Sequence, residues 1–188
     1  MNRRTTTTTT TATVVVATVA ALTLSACGSS DTAAIVASAT NATETSALAV
    51  TQLDTTEANR RTMERFTSEF LPTGDPALAE QFLSPDVVLH FGGQELRGRD
   101  TYLSVVAANG DTFGDLVWTV EGMVADGDTV AVRYTLSGIH QGEFAGVAPT
   151  GRAVTAQSMA FYKLAEGRIV EERAQLDINS LLQQMGAS

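Results

Sequence analysis

From Asp115 onward the apolar residues recur at every second position, whereas earlier in the chain they recur at every third or fourth. A period of two predicts strands of a sheet with one buried face. The alternating apolar residues of the first two predicted strands are Leu116, Trp118, Val120 and Val124, then Val130, Val132, Tyr134 and Leu136. The turn Asp126-Gly-Asp128 between the two segments predicts an antiparallel hairpin.

A second hairpin repeats this design. Residues 154–163 and 168–176 alternate in the same way around the turn Ala165-Glu-Gly167. Apolar residues between Ile178 and Met185 then return to helical spacing and predict a last helical turn or two. The second half of the chain therefore predicts a four-stranded meander followed by a short helix.

The part of the chain before Asp115 predicts helices. Met63, Phe66 and Phe70 form one apolar stripe with Leu71, and Pro72-Thr-Gly74 ends it. A short helix over 76–83, a strand over 87–91 and a helix from Gly98 to Val106, with Asp100 near its amino end, complete the pattern. Helices followed by a meander are typical of an α+β domain whose sheet curls over the helices.

The amino terminus resembles a bacterial lipoprotein signal. Arg3 and Arg4 precede an apolar run over 14–24, which is too short to span a bilayer as an ordinary helix, and Leu24-Ser-Ala-Cys27 follows. The resemblance implies a signal peptide over 1–26 and lipid on the thiol of Cys27. We therefore expect an exported protein, lipid-anchored to the outer face of the cytoplasmic membrane or in the cell envelope. The alternatives are a plain secretory signal and a twin-arginine signal.

Residues 27–56 predict a lipid-anchored, flexible tether. They are rich in Ser, Thr, Ala and Asp and contain no aromatic residue. Few large apolar side chains are available there to offset the entropy lost on ordering. The compact part is then residues 57–188, a length typical of one domain.

Composition excludes several classes of function. The chain carries 12 Lys and Arg against 21 Asp and Glu, a net charge of −9, which disfavours nucleic acid and anionic lipid headgroups as partners. Because the chain has one cysteine and two histidines, a Cys/His zinc site is not expected. The motifs of phosphate-binding loops, dinucleotide-binding folds and serine hydrolases are absent from the sequence.

His140 and Asp177 are the candidate proton-transfer residues, because each stands at the end of a predicted strand. His140 has the parity of the buried side chains of its strand, although Gly138 offers a break that would place it in a solvated turn. Asp177 precedes a predicted helix, so it is either a proton-transfer group or a helix N-cap. A single carboxyl group in an apolar pocket can both remove and deliver a proton, and a nearby imidazole can orient it.

Five segments together resemble the SnoaL-like polyketide cyclase family: Gly127–Arg133, His140–Gly151, Gly167–Glu171, Asp177 and Leu181–Gly186. The resemblance implies a cone-shaped α+β barrel of the nuclear-transport-factor-2 type (NTF2-like), with helices packed on a curved antiparallel sheet and a pocket between them. It also implies ring closure by intramolecular aldol condensation, without metal or cofactor. The family's acid/base aspartate corresponds to Asp177, and its nearby histidine corresponds to His140.

The predicted pocket lining comprises His90, Trp118, Tyr134, Met159, Phe161, Arg173 and Gln175. Family members often carry tryptophan at the position of Arg173, which changes the size and charge of that wall. Because Arg173 and Gln175 share parity with Asp177, this strand face either lines a wet pocket or faces solvent.

Two functions remain open at this point. One is a cyclase or isomerase acting on a small carbonyl compound, and the other is a non-catalytic envelope lipoprotein that binds a small apolar ligand or a protein partner. A homodimer is expected from exposed sheet faces.

The lipid anchor is directly testable. Replacing Cys27→Ser removes the thiol that would carry the lipid, so the full-length protein should leave the membrane fraction when bacterial cells are fractionated. Unchanged membrane fractionation of this variant would contradict the lipoprotein interpretation.

Overall fold

The computed structural model describes the backbone of residues 31–186 and the side chains of residues 48–186. Its helices are α1 (Asp31–Arg65), which a π-helical turn (Phe66–Phe70) continues, α2 (Pro76–Phe82), α3 (Arg99–Thr112) and α4 (Ile178–Met185). Its strands are β1 (Leu83–Phe91), β2 (Gln94–Arg97), β3 (Phe113–Asp126), β4 (Thr129–His140), β5 (Ala153–Ala165) and β6 (Arg168–Leu176). The predicted signal peptide and Cys27 lie outside the described residues.

The strands form one curved sheet in the order β2-β1-β6-β5-β4-β3, and the predicted α+β class is confirmed. The predicted meander is present as β3 to β6. Two details differ from expectation. The meander reverses direction three times between β3 and β6, and β6 then lies beside β1. Strands β1 and β6 pair in parallel, so the sheet is mixed. The sheet is also unclosed, with β2 and β3 at opposite edges.

Helix α3 contacts both β1 and β3 and so spans the sheet between its two sides. Its amino end is fixed at Gly98, whose N–H donates to the carbonyl of Val87 over 2.8 Å. Tyr102 is the buried residue of this helix. The apolar stripe that includes Met63 and Phe66 also packs into the core. The ring of Phe66 lies edge-on against the ring of Tyr162, with the two ring centroids 5.8 Å apart.

A bulge in β3 changes which of its residues face the core. The register shifts between Val120 and Gly122, so the alternation predicted from Leu116 to Val124 is interrupted. Beyond the bulge, Met123 and Ala125 pack on the core, whereas Val124 is 71% exposed. The prediction that Val124 belongs to the buried face is therefore wrong.

Helix α1 begins at Asp31, inside the segment predicted to be a flexible tether. No glycine or proline occurs between residues 31 and 65, and a segment can be helical without an apolar face to bury. Residues 48–55 are all exposed. Among the described residues, no helix is both long and apolar enough to cross a bilayer.

Helix α1 is joined to the β3–β4 turn by hydrogen bonds. The side-chain amide of Asn59, which is buried, donates to the carbonyl of Gly127 over 2.8 Å. The N–H of Gly127 donates to the hydroxyl of Thr56 over 2.9 Å. These two bonds satisfy both backbone groups of the turn glycine.

Replacing Asn59→Ala leaves the buried carbonyl of Gly127 without its donor. We expect the free energy of unfolding to fall by about 1–3 kcal/mol, measured by urea denaturation. Thr55→Ala, at an exposed position of the same helix, is the matched control and should change stability by less than about 0.5 kcal/mol. Equal losses in the two variants would show that the bond to Gly127 contributes nothing specific.

Candidate active site

A small, largely apolar cavity lies between α3 and the concave face of the sheet. Its volume is about 90 Å³, whereas typical ligand pockets measure roughly 300–1,000 Å³. The apolar part of the lining consists of Leu71, Leu89, Phe91, Val105, Val106, Leu116, Trp118, Ala160, Ala174 and Leu176. Its polar side chains are Tyr102, Asn109, Tyr134, Ser158, Tyr162 and Glu172.

Glu172 brings a carboxyl group into this apolar lining. The residue is buried, and no Lys, Arg or His is among the residues that line the cavity. Burial raises the pKa of Glu172 to about 7, while hydrogen bonding from Tyr102 and Tyr162 acts in the opposite direction. The carboxyl group can therefore change its protonation state near neutral pH, as a group that both takes and gives protons must.

A bulge in β6 turns Glu172 toward the cavity. Lys163 pairs with Glu171 and Leu164 with Ile169, so β6 contains one more residue than β5 at this point. Ile169 and Glu172 consequently both face inward although they are three residues apart. Alternation counted from Ile169 places Glu172 on the outer face, whereas alternation counted back from Leu176 places it on the inner face. The sequence analysis missed Glu172.

Three tyrosine hydroxyls lie in the cavity with the carboxyl group. Tyr102, from α3, donates a hydrogen bond to Oε2 of Glu172. The hydroxyl of Tyr162, directly across from Glu172 in the β5–β6 register, lies 3.0 Å from the hydroxyl of Tyr134 on β4. Burial raises the pKa of all three phenols, so they keep their protons at neutral pH. Tyr102 and Tyr162 were also missed by the sequence analysis.

Two of the predicted pocket residues line this cavity. Tyr134 faces inward on β4, as its alternation predicts, and Trp118 packs edge-on against it with ring centroids 5.8 Å apart. These two residues form one wall beside the phenols.

Four other predicted lining residues lie on the outer face of the sheet. Strand β5 alternates without a break, and its buried side chains include Ser158, Ala160 and Tyr162, so Met159 and Phe161 point outward and are 51% and 53% exposed. Arg173 and Gln175 are exposed on β6, because Ala174 occupies the inward position between them. The strand face that these two residues share with Asp177 is therefore the solvent-facing one.

Asp177 caps helix α4. Its Oδ1 accepts a hydrogen bond of 2.9 Å from the N–H of Ser180, and the residue is exposed. Asp177 is not among the cavity-lining residues. Of the two roles considered from sequence, the structure places Asp177 in the geometry of the helix N-cap.

His140 faces the interior, because the alternation of β4 continues through Gly138. The side chain is fully buried beside Phe113, and its Nδ1 lies 3.0 Å from the hydroxyl of Thr150. Its Nε2 has no hydrogen-bond partner among the described residues. His140 is not among the residues that line the cavity, and neither is Asp177, so the cavity brings neither predicted proton-transfer residue to Glu172.

His90 also lies outside the cavity lining. Its side chain is 25% exposed, and its Nε2 lies 3.1 Å from a carboxylate oxygen of Glu171. Among the residues whose side chains are described, no three His, Cys, Asp or Glu side chains gather into a group that could hold a metal ion.

The fold and cavity define an NTF2-like protein with a buried carboxyl group. Residues 61–185 match the SnoaL-like polyketide cyclase family, and the chain belongs to that family. IdmH from Streptomyces antibioticus, a candidate polyketide cyclase, is 30% identical and superimposes with a TM-score of 0.60, covering 68% of this chain and 98% of IdmH.

Two further solved structures support the fold. A candidate SnoaL-like polyketide cyclase from Jannaschia sp. CCS1 is 23% identical, with a TM-score of 0.65, and the match covers 71% of this chain and 95% of that protein. AclR from Streptomyces galilaeus, a candidate hydroxylase, is 24% identical, with a TM-score of 0.62 and coverages of 71% and 87%. A search of curated proteins found no match.

Glu172 should make stability depend on pH. Its pKa rises from 4.5 in the unfolded chain to about 7 in the folded protein, so the folded state binds the extra proton between these values. Its contribution is therefore fully present below pH 4.5 and is lost as pH rises through about 7. We expect wild type to lose on the order of 3 kcal/mol of unfolding free energy relative to Glu172→Gln across this window.

Urea denaturation of both proteins at about pH 5 and about pH 8 measures this difference. The variant serves as the control for all other titrating groups. Identical pH dependence in the two proteins would show that Glu172 titrates alike in the folded and unfolded states.

Proposed function

We propose that this protein is a cofactor-independent acid/base catalyst in which Glu172 transfers protons to and from a small carbonyl compound. The proposal rests on one observation: a buried carboxyl group lies with three phenols in an apolar cavity, and no cationic side chain is among the residues that line that cavity. A structural carboxyl group placed there costs desolvation energy without the compensation that an ion pair would give. Such a cost is expected where the protonation state is used.

The residues of the cavity fit the chemistry of an aldol ring closure. The ionised form of Glu172 removes a proton from the carbon next to a carbonyl group, and the resulting enolate carbon attacks a second carbonyl of the same molecule. The new carbon–carbon bond leaves an alkoxide, which takes a proton and becomes an alcohol. The proton removed and the proton added balance, so no oxidant or reductant is consumed. An isomerisation needs the same removal and return of a proton.

The lining also limits the substrate. Phenol hydroxyls can donate hydrogen bonds to carbonyl oxygens, and the apolar walls favour an uncharged molecule. No cationic side chain is present among the lining residues to bind a carboxylate or phosphate. The volume of about 90 Å³ favours a substrate smaller than a multi-ring polyketide.

One feature supports placing the reaction outside the cytoplasm. The lipobox-like sequence ending at Cys27 supports export and lipid attachment. The substrate would then be a compound that reaches the cell envelope.

Glu172→Gln should abolish turnover, because an amide of the same shape cannot accept the carbon-bound proton. Asp177→Asn is the matched control: asparagine caps helices as well as aspartate does, and the residue lies outside the cavity lining. We expect the control to keep wild-type activity. Proton removal is measured as deuterium incorporation into acetonylacetone in D₂O by NMR, and the rate should rise with pH through about 7 as Glu172 ionises.

The two variants also separate this proposal from the role suggested for Asp177 by family resemblance. Loss of activity in Asp177→Asn with full activity in Glu172→Gln would assign the chemistry to Asp177. If wild type bound acetonylacetone without exchanging its protons, the result would support the non-catalytic, ligand-binding function instead.

A further inference from the structure

The hydroxyls around Glu172 form a line rather than a ring. Tyr134, Tyr162 and Glu172 follow one another on the adjacent strands β4, β5 and β6. The hydroxyls of Tyr134 and Tyr162 are 3.0 Å apart. Tyr162 lies directly across from Glu172 in the β5–β6 register, both side chains line the cavity, and hydrogen bonding from Tyr162 lowers the pKa of the carboxyl group. Tyr102 reaches the same carboxyl group separately, from α3. The line therefore connects Glu172 to Tyr134, and Tyr102 is a side branch.

The protonation state of Glu172 sets the direction of the hydrogen bonds along this line. A carboxylate only accepts hydrogen bonds, so the ionised form requires Tyr162 to donate to Glu172 and lets Tyr134 donate to Tyr162. A protonated carboxyl group can donate to Tyr162 instead, and Tyr162 can then donate to Tyr134. Since each phenol has one proton, Tyr134 is then left with a hydroxyl proton that can be directed into the cavity.

We propose that Tyr134 delivers the proton to the oxygen formed in the reaction, and that Tyr162 relays this proton from Glu172. The inference rests on the proposed function, in which Glu172 removes the carbon-bound proton. In this inference the product oxygen receives its proton from the hydroxyl of Tyr134 and not directly from Glu172. Glu172 and Tyr134 can then act at two separate points of one bound molecule.

The steps balance. The carbon–hydrogen bond breaks and an O–H bond forms on Glu172, while the electron pair remains on the enolate and makes the new carbon–carbon bond. Tyr134 gives its hydroxyl proton to the alkoxide and receives a proton from Tyr162. Tyr162 in turn receives a proton from Glu172. Glu172 returns to the carboxylate, and the product has gained the proton that the substrate carbon lost.

The burial of the phenols agrees with this role. Tyr134 and Tyr162 are each 2% exposed and line the cavity, so the line has no route through bulk water. Their raised pKa values keep both phenols protonated before the reaction. An alkoxide is a stronger base than a phenolate, so transfer from Tyr134 to the product runs downhill.

The test compares two rates in the full-length protein, with acetonylacetone as the probe. Deuterium exchange at its carbon atoms reports proton removal by Glu172, and formation of the cyclic aldol, a methylcyclopentanone that carries the new alcohol, reports the complete reaction. Tyr162→Phe should lower ring closure by at least about 100-fold while exchange changes by only a few fold. Tyr134→Phe should behave alike, and the double variant should be no slower than either single variant, because the two residues act in one line.

Tyr102→Phe is the matched control, because it removes a phenol from Glu172 without interrupting the line. It should shift the pH dependence of exchange and closure together and leave their ratio unchanged. Equal losses of exchange and closure in Tyr162→Phe, or no loss in either, would overturn the relay. Circular dichroism confirms that each variant is folded.

A second readout does not depend on activity. With ¹³C-labelled tyrosine, the relay predicts that the ring signals of Tyr162 and Tyr134 both follow the titration of Glu172 in wild type. In Tyr162→Phe, the signal of Tyr134 should no longer follow it, whereas that of Tyr102 should continue to do so. A Tyr134 signal that is insensitive to Glu172 in wild type, or equally sensitive in the variant, would overturn the relay. If wild type showed neither exchange nor ring closure, while its Tyr162 and Tyr134 signals still followed the titration of Glu172, the result would instead reject the proposed function.

Discussion

The hydrogen bond between Tyr102 and Glu172 joins α3 to β6 across the cavity, and the organisation of the site depends on it. The two residues are 70 positions apart in the chain, so the bond forms only when the helix lies over the sheet. Because Glu172 has no cationic partner in the lining, phenols are what compensate its burial. The compensation is incomplete, which is why the pKa of Glu172 lies near neutrality rather than at its ordinary value.

Interruptions of regular strand pairing place the groups of the site. The bulge in β6 turns Glu172 inward, and the bulge in β3 turns Met123 toward the core after the segment that contains Trp118. Strands β4 and β5 keep their alternation through Tyr134 and Tyr162. The sheet thus combines two adjacent strands of regular alternation, which carry Tyr134 and Tyr162, with a bulged strand on each side of them.

The family and the cavity carry different parts of the functional argument. Membership of the SnoaL-like polyketide cyclase family supports ring closure as the proposed reaction. The cavity supports a different proton-transfer residue, since Asp177 caps α4 and His140 is buried outside the lining. The proposed proton-transfer group is the carboxyl group of Glu172. Its position on the inner rather than the outer face of β6 gives it the apolar surroundings that the chemistry needs.

The sequence by itself determined the class of the fold, the helical stripe of Met63 and Phe66, the hairpins of the meander and the inward direction of Tyr134, because these follow from local periodicity. It could not determine that β1 pairs with β6, that Met159 and Phe161 face outward, or that Glu172 is buried. Apolar residues occupy both faces of β5, and a one-residue bulge reverses parity without a distinctive sequence signal. Only tertiary structure decided these points, because each depends on the neighbouring strand and on the helix above it.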